Sequence, residues 1–352
     1  MRTLLFTICM NLSILGFGQF SDKKSEVHAY KINKDADVSI QHRNGKIRVI
    51  TWAKDSVRFE SNLQVESNSL DKNHQILSNA RYNISAQASS VYFSSDLGIG
   101  NVKKEWETLK SKTGLGNIRI DSDLVVYVPE TCNLRLDHKY GDIDLESYSG
   151  PLTILLTQGD LKAKDLSGLE KLECKFCDVR IEKIEKSDLT LLFSEVNIKS
   201  AGNLRIDSKS SEIRIKSAKK ITCVTTKDRL EIDELDDMLI FGNLTKLYVG
   251  DLNSTMLAEL KFGKIRVDRV SEKCTDLTFR VHNTDVELNL EPSTSFQVAA
   301  KGEELDVQYP TKMGKIELID GSKTGYIGAS NASSTVTAFG TKSTISFYVN
   351  NN

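Results

Sequence analysis

A short unit recurs along the chain: a small or turn-forming residue, a charged residue, then apolar, variable, apolar. It reads Gly141-Asp-Ile-Asp-Leu, Gly159-Asp-Leu-Lys-Ala, Cys177-Asp-Val-Arg-Ile, Ser194-Glu-Val-Asn-Ile, Ser211-Glu-Ile-Arg-Ile, Asp228-Arg-Leu-Glu-Ile, Thr245-Lys-Leu-Tyr-Val and Gly263-Lys-Ile-Arg-Val, at successive offsets of 18, 18, 17, 17, 17, 17 and 18. Looser copies stand at Gly45-Lys-Ile-Arg-Val, Gly116-Asn-Ile-Arg-Ile, Thr284-Asp-Val-Glu-Leu and Gly314-Lys-Ile-Glu-Leu. A fixed short period is the mark of a stacked repeat.

With the turn residue as position zero, the columns separate inside from outside. Position +2 (Ile143, Leu161, Val179, Val196, Ile213, Leu230, Leu247, Ile265) and position +4 (Leu145, Ala163, Ile181, Ile198, Ile215, Ile232, Val249, Val267) are wholly apolar. Position +7, from Tyr148 and Leu166 to Leu252 and Val270, carries no charge, and position -5 is apolar from Leu136 to Ala258. Alternation with period two means strands, and a unit this short has no room for a crossover helix. The pattern predicts an all-β chain wound as a parallel β-solenoid (β-helix) with coils of 17–18 residues. A single coil has nothing to bury against, whereas coils stacked at about 4.8 Å share one core, so eight of them rise roughly 34 Å.

The open ends of such a stack need covers. The regular solenoid is assigned to 116–282, irregular coils and a cap to 20–115, and further coils and a second cap to 283–352. Within the first cap a short helix is expected over Ser69 to Ala80, with Leu70, His74 and Leu77 on one face. The polar stretch 98–116 reads as an exposed excursion, and the part from 283, which ends in a Ser343-Thr-Ile-Ser-Phe-Tyr-Val strand, as the closure of the far end. Residues 1–19 read as a secretory signal peptide: Arg2 precedes an apolar run from Leu4 to Phe17, and Gly16-Phe17-Gly18 supplies small residues for cleavage. The expected location is outside the cytoplasm, in the periplasm, on the outer-membrane surface or beyond the cell.

Charge and composition narrow the function. With 47 Lys and Arg against 48 Asp and Glu there is no basic footprint for nucleic acid. No apolar run after the N-terminus is long enough for a transmembrane helix. Cys174-Lys-Phe-Cys177 has CxxC spacing, but Cys174 falls at an inward position, Cys177 at a turn, and no second CxxC completes a zinc set. Cys223 is inward too, and buried thiols are the favoured reading. The +1 column stacks Asp142, Asp160, Asp178, Glu195 and Glu212, a conceivable calcium ladder, yet the +3 column answers with Lys162, Arg180 and Arg214, so self-paired charge is the better reading. The five histidines, at 28, 42, 74, 138 and 282, share no metal or nucleophile spacing. No catalytic residue, metal or cofactor is expected. On the outward columns -6 and -4, Val224, Leu239, Phe241 and Leu257 make a contiguous apolar patch. The favoured expectation is that a terminal segment covers it; the functional reading is a partner site.

Three segments taken in order, Gly45-Lys-Ile-Arg-Val-Ile-Thr-Trp, Val125-Val-Tyr-Val-Pro-Glu-Thr-Cys and the following Gly-Asp-Ile-x-Leu coils, resemble the bacterial putative-adhesin β-strand-repeat proteins of unknown function, related to head GIN-domain proteins and common in Bacteroidota. The resemblance implies an exported, β-helical cell-envelope protein and defines no catalytic residue. The chain departs from that pattern where Cys177, Ser194, Ser211, Asp228 and Thr245 replace the coil glycine. The reading is a noncatalytic scaffold or adhesion module for an envelope protein or glycan. The alternative is a carbohydrate-active enzyme, a lyase or hydrolase, since β-helices host both.

Overall fold

The computed structural model describes residues 20–96 and 118–349; the signal-peptide assignment and the whole of the excursion lie outside them. The described residues are all-β apart from one short α-helix and a single 3₁₀ turn, with all their strands in one sheet, as a β-solenoid requires. The N-terminal part contains β1 (Phe20–Lys31), β2 (Asp37–Trp52), β3 (Ser56–Ser67), α1 (Leu70–Asn79), β4 (Arg81–Gln87), β5 (Ser90–Asp96) and β6 (Arg119–Pro129). A run of parallel strands follows: β7 (Asn133–Ser147), β8 (Leu152–Leu166), β9 (Leu169–Leu192), β10 (Glu195–Lys209), β11 (Glu212–Thr226), β12 (Arg229–Asn243), β13 (Lys246–Val270) and β14 (Asp276–Leu290). The chain then forms β15 (Phe296–Gln308), β16 (Gly314–Ile319), β17 (Ser322–Ile327) and β18 (Thr335–Val349).

The core is a set of vertical columns. Ile143 pairs with Leu161, Leu161 with Val179, and the register continues through Val196, Ile213, Leu230 and Leu247, all at most 1% exposed. Each layer buries its inward side chains only against the layers above and below, so the columns are both the pattern seen in the sequence and the source of cohesion. At the N-terminal end β2 lies directly on β7, Gly45 over Gly141 and Ile47 over Ile143. Strands β5 and β6 cover the other edge of β2, and antiparallel partners cover them in turn: β4 on β5, β3 on β6, β1 on β3.

Several local expectations are corrected. Helix α1 forms where the pattern placed it, with the Ser69 hydroxyl accepting the Lys72 N–H, but it turns a different face inward. Asn73 and Ile76 are buried while Leu70 is 43% exposed, because the Asn73 amide bonds Ser67, the Phe20 carbonyl and Asp22. The unit at Gly314 is not a coil: β16 runs antiparallel to β17, itself antiparallel to β15. Likewise Arg119 and Ile120, the end of the Gly116 unit, run antiparallel to β3. Within the C-terminal part the last strand in sequence, β18, is not the last layer in space. It lies between β14 and β15, parallel to both, and β17 and β16 form the outer cover.

Candidate functional site

A stack of left-handed corners builds the site. Among the described residues thirteen non-glycine residues have positive φ, and all but Asp320 fall in one register column: Asn44, Tyr140, Gln158, Phe176, Phe193, Ser210, Lys227, Leu244, Phe262, Asn283, Lys342 and Glu304. This is position -1 of each layer. One left-handed residue between two extended stretches turns the chain without interrupting the ladder: Phe193 N–H reaches the Lys209 carbonyl at 3.0 Å, and Leu244 N–H the Lys261 carbonyl at 2.9 Å. Left-handed backbone costs an L-residue about 1–2 kcal/mol, so the bend needs support from its neighbours.

The support comes from position zero, whose side chains turn inward. Cys177 N–H donates to Ser194 Oγ at 3.2 Å, Ser194 N–H to Ser211 Oγ at 3.2 Å, and Ser211 N–H to Asp228 Oδ1 at 2.7 Å. Thr284 Oγ1 receives Gly263 N–H, and Ser343 Oγ receives Thr284 N–H. Ser194, Ser211, Thr284 and Ser343 each return a hydroxyl proton to the carbonyl two residues back. Departure from glycine in this column therefore installs a buried hydrogen-bond ladder. Cys177 belongs to it and is 6% exposed, a buried thiol at the corner of its layer. Its thiol is held below the usual cysteine range by a hydrogen bond from Cys174, whose own thiol is pushed up by that bond and by burial. The five described cysteines are all buried, and burial raises the Cys274 thiol to about 12.

The side chains of the left-handed residues point outward. Tyr140, Phe176, Phe193, Leu244 and Phe262 are 47–57% exposed. Phe176 and Phe193 stack face to face at 5.1 Å and 5°, while Phe262 meets His282 edge-on at 5.3 Å. The four patch residues lie beside this corner. Val224 is the register partner of Phe241, and Leu239 of Leu257. Val224 is 54% and Phe241 39% exposed, so the described terminal segments leave them open rather than covered; Leu239 and Leu257 are half-buried. Leu244, one residue past the end of β12, and Phe262 on β13 stand at the corner beyond the Asn243 and Lys261 pair and add a second apolar pair beside the patch. Sequence reading missed these two because position -1 is not an apolar column: Gln158, Ser210 and Lys227 interrupt it.

On the far side of the corner the charges pair off. Arg214 contacts Glu195 at 2.6 Å, Glu212 at 2.5 Å and Glu231 at 3.3 Å, and Arg180 contacts Asp178 at 2.6 Å. These lie along a shallow groove of about 660 Å³ over β7 to β12. Lys199 holds the Glu182 carboxyl below its ordinary range, and Arg214 does the same for Glu195. The carboxyl pushed upward, that of Asp228, is raised by burial and sits inside the tube on Ser208, Ser211 and Thr226. A general acid facing the groove is thus not supplied by these groups. Among the described residues no three His, Cys, Asp or Glu side chains gather as a metal-ligating group.

The histidines hold one arrangement the spacing did not reveal. His42 and His138, in adjacent layers, stack at 5.3 Å and 10° inside the core. His42 Nε2 donates to the Ser122 carbonyl at 2.6 Å and Nδ1 contacts Ser95 Oγ at 2.9 Å, while burial and the neighbouring His138 depress its pKa to about 3. Both occur three residues before a coil glycine, as His42-Arg-Asn-Gly45 and His138-Lys-Tyr-Gly141, the one signal in the sequence that could have found the pair.

No family model and no curated protein matches the chain. The crystal structures that align with it include three of adhesin-like proteins. One is of a putative cell adhesion protein from Clostridium sporogenes (9% identity, 94% of this chain and 100% of that one, TM-score 0.18). The others are putative adhesins from Bacteroides fragilis (11%, 93% and 97%, TM-score 0.19) and Parabacteroides distasonis (8%, 76% and 93%, TM-score 0.25). Such identities and TM-scores transfer no function to this chain. No described helix is long and apolar enough to cross a membrane.

Proposed function

We propose that the chain is a noncatalytic, exported β-solenoid of the cell envelope or surface, a scaffold or adhesion module that holds a protein or glycan partner on the face formed by Val224, Leu239, Phe241, Leu244, Leu257 and Phe262. The observation that carries this reading is the continuity of exposed apolar side chains across adjacent layers, two of them set on left-handed backbone. A column that accepts Asn at Asn44 and Asn283 has a less strained option at Leu244 and Phe262, so apolar display there is not explained by the bend alone. A rigid sheet fixes the spacing of these side chains and limits the entropy lost on docking.

The test compares wild type with Phe241→Lys and Leu244→Asn in a pull-down from envelope extract and on a glycan array. Both substitutions face solvent and leave the melting temperature near wild type, while capture falls at least tenfold. Loss of folding in Phe241→Lys would instead mark the patch as covered structural surface. Turnover of acidic polysaccharides by the purified chain, with loss on mutation of the groove carboxylates, would replace this reading with the enzymatic one.

A further inference from the structure

Strand β18 fills a slot that chain order does not predict. It pairs with β14 from Asp276↔Thr335 to Leu290↔Val349 and with β15 from Gln297↔Thr335 to Gln308↔Ser346, so each neighbour presents a complete edge to it. It carries every feature of an inner layer. Val336, Ala338, Ile345 and Phe347 are buried, Lys342 is left-handed, and Ser343 Oγ accepts Thr284 N–H at 3.1 Å. At Gly340 a β-carbon would stand 2.8 Å from Leu305 Cδ1 and 3.0 Å from Val281 Cγ2, side-chain ends that would have to give way. The slot selects a strand with a hydroxyl that accepts the Thr284 N–H and apolar residues two and four after it. This chain's own β18 has that pattern.

The segment leading into β18, residues 328–334, is Gly-Ala-Ser-Asn-Ala-Ser-Ser, begins at Gly328 with φ 77° and is largely exposed. Its bonds to the rest of the fold are Gly328 N–H on the Met313 carbonyl, Ala329 N–H on Ser295 Oγ, and Gln297 donating to the Ser330 and Ser334 carbonyls, with Ala332 N–H bonding the Ala329 carbonyl inside the segment. Seven residues span up to about 23 Å when extended, several layer spacings. We propose that the slot between β14 and β15 is a strand-exchange site at which β18 of a second copy replaces the resident strand in the same parallel register, joining two copies. Every contact made between copies is one already made within a copy, so exchange creates no unpaired edge and depends on strand opening and protein concentration.

The proposal is independent of the apolar face and is tested by trapping. Ala299 and Thr337 are register partners on outward positions of β15 and β18. Full-length Ala299→Cys and full-length Thr337→Cys chains are mixed at high concentration and oxidised with oxidised glutathione. A disulfide between the two chains forms when β18 of one lies beside β15 of the other. Expected is a crosslinked dimer that grows with concentration and incubation time and exceeds by at least tenfold that formed when Ser78→Cys replaces Ala299→Cys. The Ala299→Cys/Thr337→Cys double variant, crosslinked within one chain before mixing, is expected to stay monomeric. Efficient closure of the double variant, with no dimer above the Ser78→Cys background in the mixture, would overturn the proposal.

Discussion

Two stretches of the left-handed corner solve the same problem differently. At the N-terminal end, position zero is Gly45, Gly141 and Gly159, and the backbone of one layer fills the space where the next would place a β-carbon: Gly45 O lies 1.8 Å from that point at Gly141, and Gly141 O 1.9 Å from it at Gly159. In the central layers Ser194, Ser211 and Asp228 fill the same space with a side-chain acceptor for the N–H of the layer before. Cys177 marks the change from one to the other, because its sulfur faces the Gln158 and Gly159 backbone while its own N–H already uses Ser194. The glycine end is also where the histidine pair fits, His138 taking the Gly45 carbonyl at 3.2 Å. The same bend can be closed by backbone or by side chain, and the two closures are not interchangeable at one site.

The sharpest way to break this comparison is to move the central solution into the glycine end. Gly141→Ser places a β-carbon against backbone, and we expect a loss of about 3 kcal/mol or more in urea unfolding, although serine is the native residue at the same position two and three layers on from Gly159. An unchanged midpoint would refute the steric account.

Acid separates the two regions next. His42 ordinarily titrates near 6.5 and is depressed to about 3 in the fold. A depressed basic group contributes stability that is whole above its unfolded value and is lost as pH falls from there toward the folded value. The slope is at most about 1.4 kcal/mol per pH unit, so roughly 2–3 kcal/mol disappears between pH 6.5 and 4.5. Hydrogen exchange should show β2 and β7 losing protection first, and His42→Gln should flatten the dependence.

A smaller effect is expected at Asp228. Asp228→Ala leaves the Ser211 N–H without its acceptor and should lose about 1–3 kcal/mol. Asp228→Ser restores the residue used one layer earlier and should return most of it. The raised carboxyl adds a sign: the stability it contributes is whole below about 3.8 and declines as pH climbs through the folded value, so the remaining deficit of Asp228→Ser against wild type should be largest in acid and narrow toward neutrality. The smallest change is Cys177→Ser, which extends the hydroxyl ladder by one layer and should shift the urea midpoint by less than about 1 kcal/mol.

Much of this architecture was legible because burial writes itself as alternation. The columns through Val179, Val196 and Ile213 could be placed before any coordinate, and so could the patch of Val224 and Phe241. What escaped was whatever depends on backbone sign or on order in space. Nothing in the identities of Phe176, Ser210 and Lys227 announces a shared left-handed conformation, since φ is set by the bend and not by the side chain. The purpose of Ser194 and Ser211 was hidden because a polar residue between strands reads as a turn until its hydrogen bonds are seen. Strand β18 carries the unit Ser343-Thr-Ile-Ser-Phe, but with threonine where the repeat has a charge, and a linear pattern says nothing about insertion between layers already passed.

The uniform register of the inner layers has a consequence for size. From β10 to β12 each layer meets only its two neighbours, with matching residues above and below. Duplicating one such layer would lengthen the molecule by about 4.8 Å while leaving both covers and the strand slot untouched. The distance from the histidine pair to the C-terminal cover is therefore a ruler graduated in single layers, adjustable by whole repeats without redesign of either end.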